Sequence, residues 1–184
     1  MDAANDTLTW AISTITEQVE QNKHRCIVIH GEIGAGKTRY AERLLAALKE
    51  RGLMVGGIIS PRILDGAQTI GYRVRDIATG EERFLATVNP PGVRVGKFYL
   101  SRDALDFARK AIESAAAVAQ VVFLDEVGRL EVAGQGHAPA LRALLRSTAI
   151  PVLFVRSKFV PRVIESFSIS DHVELPVDRL HVVR

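Results

Sequence analysis

The apolar residues of the chain fall into two kinds of run. Leu8, Ile12, Ile15 and Val19 recur at helical spacing, which predicts an amphipathic helix over 6–22, opened by Asp6 or Thr7 and carrying Trp10 on its other face. "CIVIH" (26–30) is a short, β-branched run with no polar alternation, the pattern of a strand covered on both faces. A helix is predicted over 37–51, with Ala41, Leu44, Leu45 and Leu48 inward and Gly52 as its stop. "LMVGGIIS" (53–60) reads as a strand. Residues 69–88 read as two strands about a turn at Thr79–Gly80, and "VGKFYL" (95–100) as a further strand. Leu105, Ala108, Ile112 and Ala116 mark a helix over 102–118, and "VVFLD" (121–125) is an apolar strand that ends in acid. A helix at 138–147, a strand at 151–156, a short helix at 159–167 and short strands in "HVELP" and "RLHVV" complete the series.

Strands alternating with helices predict an α/β fold, a mostly parallel sheet with helices on both faces. The stretch 69–100 breaks the alternation and is expected to be an antiparallel insertion. Residues 1–24 are expected to form an N-terminal helical extension, with one domain over 25–184. The first helix is expected to pack on its own domain; a face for a partner or a second copy is the alternative.

Composition narrows the function classes. At 184 residues, with 47% hydrophobic and 24% charged positions, the chain has the makeup of one globular domain. No apolar run reaches the roughly 18 residues that a membrane span needs, and the first residues lack the order of a signal peptide. One cysteine, Cys26, rules out an intrachain disulfide and fits a cytoplasmic protein. Net charge is +3 with scattered arginines, so a nucleic-acid partner is not indicated. The five histidines lack metal-ligand spacing.

The chemistry concentrates in "GEIGAGKT" (31–38), which fits G-x-x-x-x-G-K-[ST] between a predicted strand and a predicted helix. Such a loop wraps phosphate with backbone N–H groups, so Gly31, Gly34 and Gly36 keep β-carbons out of the way and permit unusual backbone angles. The helix N-terminus adds its partial positive charge. Lys37 is expected to reach the β- and γ-phosphates, and the Thr38 hydroxyl to hold Mg²⁺. The whole binding segment is Gly31, Glu32, Ile33, Gly34, Ala35, Gly36, Lys37, Thr38 and Arg39. "VVFLDE" places Asp125 at the tip of a strand as a second metal holder, with Glu126 beside it to orient an attacking water. Arg129 and Arg156 are candidates for the γ-phosphate, each with a surface arginine as its alternative.

In order along the chain, "GEIGAGKT", "VGGIISPR", "IGYRVRDIATGEERFLA", "VGKFYL" and "FLDEVGRLE" resemble the small P-loop nucleoside-triphosphatases of the THEP type. The resemblance runs from about Cys26 to the last strands. It implies a three-layer RecA-like fold and Mg²⁺-dependent hydrolysis of nucleoside triphosphates with loose base selectivity. Ile33 stands where many members have proline, and Arg39 where a hydroxyl residue is common. The substrate expected is a nucleoside triphosphate, without a membrane, in a monomer or small homo-oligomer. A nucleotide-dependent regulatory module with slow hydrolysis is the alternative. A small-molecule kinase is disfavoured by Glu126 and by the lack of an arginine-rich lid.

Overall fold

The computed structural model describes residues 3–177 and contains one mixed ten-stranded sheet. Helix α1 (Ala3–Glu20) leads into β1 (Cys26–Gly31), α2 (Lys37–Glu50) and β2 (Val55–Ile59). Then come β3 (Arg62–Asp65), β4 (Gln68–Asp76), β5 (Glu82–Thr87), β6 (Val93–Val95) and β7 (Phe98–Leu100). The chain continues through α3 (Arg102–Val118), β8 (Val121–Val127), α4 (Arg129–Val132), α5 (Ala138–Leu144), β9 (Ile150–Arg156), α6 (Val160–Ser166) and β10 (His172–Pro176).

The sheet order is β10-β1-β9-β8-β2-β4-β5-β7-β6, with β3 paired to β4. The first five strands are parallel, and β3 to β7 continue the sheet as antiparallel hairpins. The expected insertion is thus present, and it begins at Arg62 rather than 69. One strand, β9, separates β1, which feeds the glycine loop, from β8, which carries Asp125.

The unbroken apolar runs are explained by two covered faces. Ile27, Ile29, Val121, Phe123, Val152 and Phe154 point to one side, where Tyr40, Ala41, Leu44 and Leu48 of α2 meet them. Val28, Val122, Leu124, Leu153 and Val155 point to the other, under Ala108, Ile112 and Ala115 of α3 and Leu141 of α5. Each strand alternates faces with period two, and both faces are core. The double glycine of β2 answers a spatial demand. A β-carbon on Gly57, whose φ is +93°, would lie 2.1 Å from the Phe123 carbonyl oxygen, and one on Gly56 would lie 2.6 Å from Ala115 Cβ.

Helix α1 joins the α2 side: Leu8, Ala11, Ile12 and Ile15 are buried in the same cluster, and the Tyr40 hydroxyl donates to the Thr7 carbonyl at 3.1 Å. Trp10 is 46% exposed on the opposite face. The helix starts at Ala3, so Asp6 and Thr7 lie within it rather than capping it.

Other boundaries shift for local reasons. The strand expected over 95–100 is two, β6 and β7, because Gly96 turns the chain at φ +63°. Strand β8 runs two residues past Asp125. Strand β3 and the four-residue α4 are additions, both too short for a periodic signal. The segment "RLHVV" lies outside the described residues.

Candidate functional site

The glycine loop leaves the C-terminal end of β1 and closes onto the N-terminus of α2. Gly34 and Gly36 take left-handed φ values of +82° and +92°. Gly31 does not; its role is close approach, since a β-carbon there would sit 2.8 Å from the Val177 carbonyl oxygen. The Lys37 ammonium is drawn back over the loop and donates to the Gly31 and Glu32 carbonyls at 2.9 and 3.1 Å. Burial pushes its pKa below the usual lysine range, and the Glu126 and Asp125 carboxylates pull it back up. Ala35 is buried beneath the loop, while Ile33 is 63% exposed at its outer side.

Asp125 is fully buried in β8, two residues before the strand ends. Its Oδ2 accepts from the Thr38 hydroxyl and from the Ser60 backbone N–H, both at 3.0 Å, and its Oδ1 accepts from the Glu126 N–H at 2.9 Å. Burial, and then the neighbouring Glu126 charge, push its pKa up to about 7 against these three hydrogen bonds. Thr38 and Asp125 therefore set two hard oxygen donors side by side, the chemistry that a small divalent cation takes.

Glu126 follows in an unusual conformation. Its φ is +62°, and the pairing of β8 with β9 shifts register between Leu124 and Val127. A bulge of this kind re-aims a side chain, and a left-handed glutamate is a strained one. The redirected carboxylate meets Arg156 Nη2 at 3.5 Å, both side chains about a third exposed. Arg156 arrives through strand register, as the partner of Gly31 across the β1–β9 pair.

A small pocket of about 110 Å³ gathers these groups. Its wall is formed by Ile33, Gly34, Gly36, Lys37, Thr38 and Arg39 of the loop, and by Glu126 and Arg156 opposite. Arg129 is not in this wall. It opens α4, is exposed, and lines the neighbouring cleft instead.

Four residues complete the surroundings without having been singled out from the sequence. Ser60 stands at the end of β2, and its buried hydroxyl has no partner among the described residues. Strand ends at a parallel sheet's C-terminal edge are where ligand groups collect, and that rule would have found it. Arg62 and Tyr72 enter the pocket wall from β3 and β4. Glu131, the last residue of "FLDEVGRLE", is structural: its buried carboxylate accepts the Gly128 and His137 N–H groups at 2.8 and 3.0 Å and closes the turn around α4.

Comparison with known proteins bears on the family and the fold. A family model described as NTPase matches residues 26–179. Nucleoside-triphosphatase THEP1 of Methanopyrus kandleri is 35% identical over 134 residues, 72% of this chain and 74% of that one. The protein of the same name from Thermofilum pendens is 37% identical over 128 residues, 68% and 70% of the two chains. Among solved structures, THEP1 from Aquifex aeolicus superposes with a TM-score of 0.66 at 19% identity, covering 83% of this chain and 89% of that one. A human cancer-related nucleoside triphosphatase gives 0.65 at 20% identity, covering 84% and 88%. The structures share the fold, and the sequence match makes this chain a member of the THEP-type NTPase family.

Proposed function

We propose that the chain hydrolyses nucleoside 5′-triphosphates such as ATP and GTP to the diphosphate and phosphate. The observation that carries this reading is the division of labour between two adjacent carboxylates. Asp125 is buried and bound to the Thr38 hydroxyl, whereas the bulge turns Glu126 away from it and into the phosphate pocket. Thr38 and Asp125 would hold Mg²⁺, which supplies positive charge to the phosphate oxygens. Lys37 leaves the Gly31 and Glu32 carbonyls for the β- and γ-oxygens. Glu126 orients a water and accepts its proton as the water oxygen bonds to the γ-phosphorus. The bond from that phosphorus to the β–γ bridging oxygen breaks, and its electrons leave with the diphosphate. Arg156, released from Glu126, meets the charge on the γ-phosphoryl oxygens.

Glu126→Gln tests the assignment. Positioned general-base help is worth about 10² to 10⁴ in rate, so single-turnover phosphate release should slow at least about a hundredfold. ATP affinity should stay near the parental value. Release at the parental rate would remove Glu126 from the role.

A further inference from the structure

Beside the phosphate pocket lies a larger cleft of about 390 Å³, between the inserted hairpins, α4 and the β9–α6 turn. Tyr72, Glu126 and Arg156 line both spaces, so the cleft opens on the end of the site where hydrolysis is placed. No residue of the glycine loop lines it. Hydrolysis needs one water at Glu126, and a space of molecular size is more than a water requires.

The cleft has two kinds of wall. Val95, Phe98, Leu100 and Leu105 form an apolar side. At the rim stand Arg129 and Lys158, both exposed and neither with an ion-pair partner among the described residues. Their chain neighbours meet across the cleft: Gly128 faces the Phe159 ring, where an added β-carbon would lie 3.4 Å from Cδ2. In the wall, the buried ring of His137 has Nδ1 without a hydrogen-bond partner among the described residues.

We infer that this cleft is a second binding site, for a small organic anion with an apolar or aromatic body and a carboxylate or phosphate group seated between Arg129 and Lys158. The inference uses the hydrolytic reading only to say which end of the nucleotide faces the cleft. Binding there needs no turnover, so each can fail without the other.

The test uses 8-anilinonaphthalene-1-sulfonate, an aromatic anion whose fluorescence rises on burial. One saturable site per chain is expected, displaced by benzoate and phenyl phosphate but not by the equally sized cation benzylamine. Loss of one favourable charge contact is worth about a factor of ten, so Lys158→Glu should weaken the probe about tenfold or more. Val95→Trp, which fills the apolar side, should weaken it as well. Equal affinity in both variants overturns the proposal, as does displacement by benzylamine. Competitive displacement by ADP would give the cleft to the nucleotide and overturn it too. ATP hydrolysis measured alongside reports separately on the phosphate loop: no phosphate release from any triphosphate sinks the hydrolytic reading and leaves the probe result standing.

Discussion

Replacing Asp125 with asparagine should make the nucleotide-free, metal-free protein more stable at high pH. The carboxyl group has no exposed surface, and its pKa is pushed up to about 7 from an ordinary 3.8. A raised carboxyl pKa favours folding most below the unfolded value, and that advantage falls away as pH rises from about 4 through 7. Above 7 the folded protein carries the full cost of a buried charge, about three pH units at 1.4 kcal/mol each, or on the order of 4 kcal/mol. Asparagine removes that cost. It also leaves the Glu126 N–H, now bonded to Oδ1 at 2.9 Å, without a carboxylate oxygen, a loss of about 1–3 kcal/mol. The net expectation at pH 8 is a gain of about 1–3 kcal/mol for Asp125→Asn. Between pH 8 and pH 5 the difference between the two proteins should shrink by about 2–3 kcal/mol. The difference must be read rather than either protein alone. His137, pushed down to about 4 by burial, gives a slope of opposite sign between about 4 and 6.5, and it is present in both. Urea unfolding in EDTA at several pH values measures it. A difference that does not change with pH would refute the burial argument. So would a variant less stable than the parent at pH 8.

Lys37→Ala should lower both triphosphate affinity and turnover sharply, because a point charge on the β- and γ-oxygens is lost; unchanged binding by calorimetry would remove the phosphate-loop assignment. Deleting residues 1–22 uncovers the surface that Leu8, Ala11, Ile12 and Ile15 bury against α2, so the melting temperature should fall by several degrees. An unchanged melting temperature with an altered oligomeric state would turn that helix into an assembly face. Gly57→Ala places a β-carbon 2.1 Å from a backbone oxygen at φ +93°, and should cost about 3 kcal/mol or more, or prevent soluble expression; a parental denaturation midpoint would contradict the packing described for β2.

What was legible in the sequence was local. The glycine loop states its own conformation through Gly34 and Gly36, and Asp125–Glu126 follow directly from an apolar run. The parallel core was legible because strands buried on both faces leave unbroken apolar segments such as "VVFLD". Which arginine faces the loop was not, because it depends on β9 lying beside β1 and on Arg156 falling opposite Gly31. Arg129, closer to Asp125 along the chain, turns into the adjacent cleft at the start of α4. Arg62 and Tyr72 carry no sequence signal for a related reason: hairpin register decides which residues of the insertion point inward, and β3 and β4 shift register between Ile63 and Leu64. Nor does the left-handed Glu126 announce itself, since a bulge is set by two strands and written in neither.

The position of β9 between β1 and β8 has a consequence for how the protein is made. The loop and Asp125 are both synthesised before β9, yet they cannot be held at their working separation until residues 150–156 have slipped between their strands. During translation the two halves of the site therefore exist on the nascent chain without forming a site. Nucleotide capture becomes possible only late, and once possible it favours chains with β9 in place over every shorter intermediate. Triphosphate at cellular concentration thus acts as a ligand only of chains that have inserted β9, and retention of truncated chains on an immobilised nucleotide should switch on only for lengths that include Arg156.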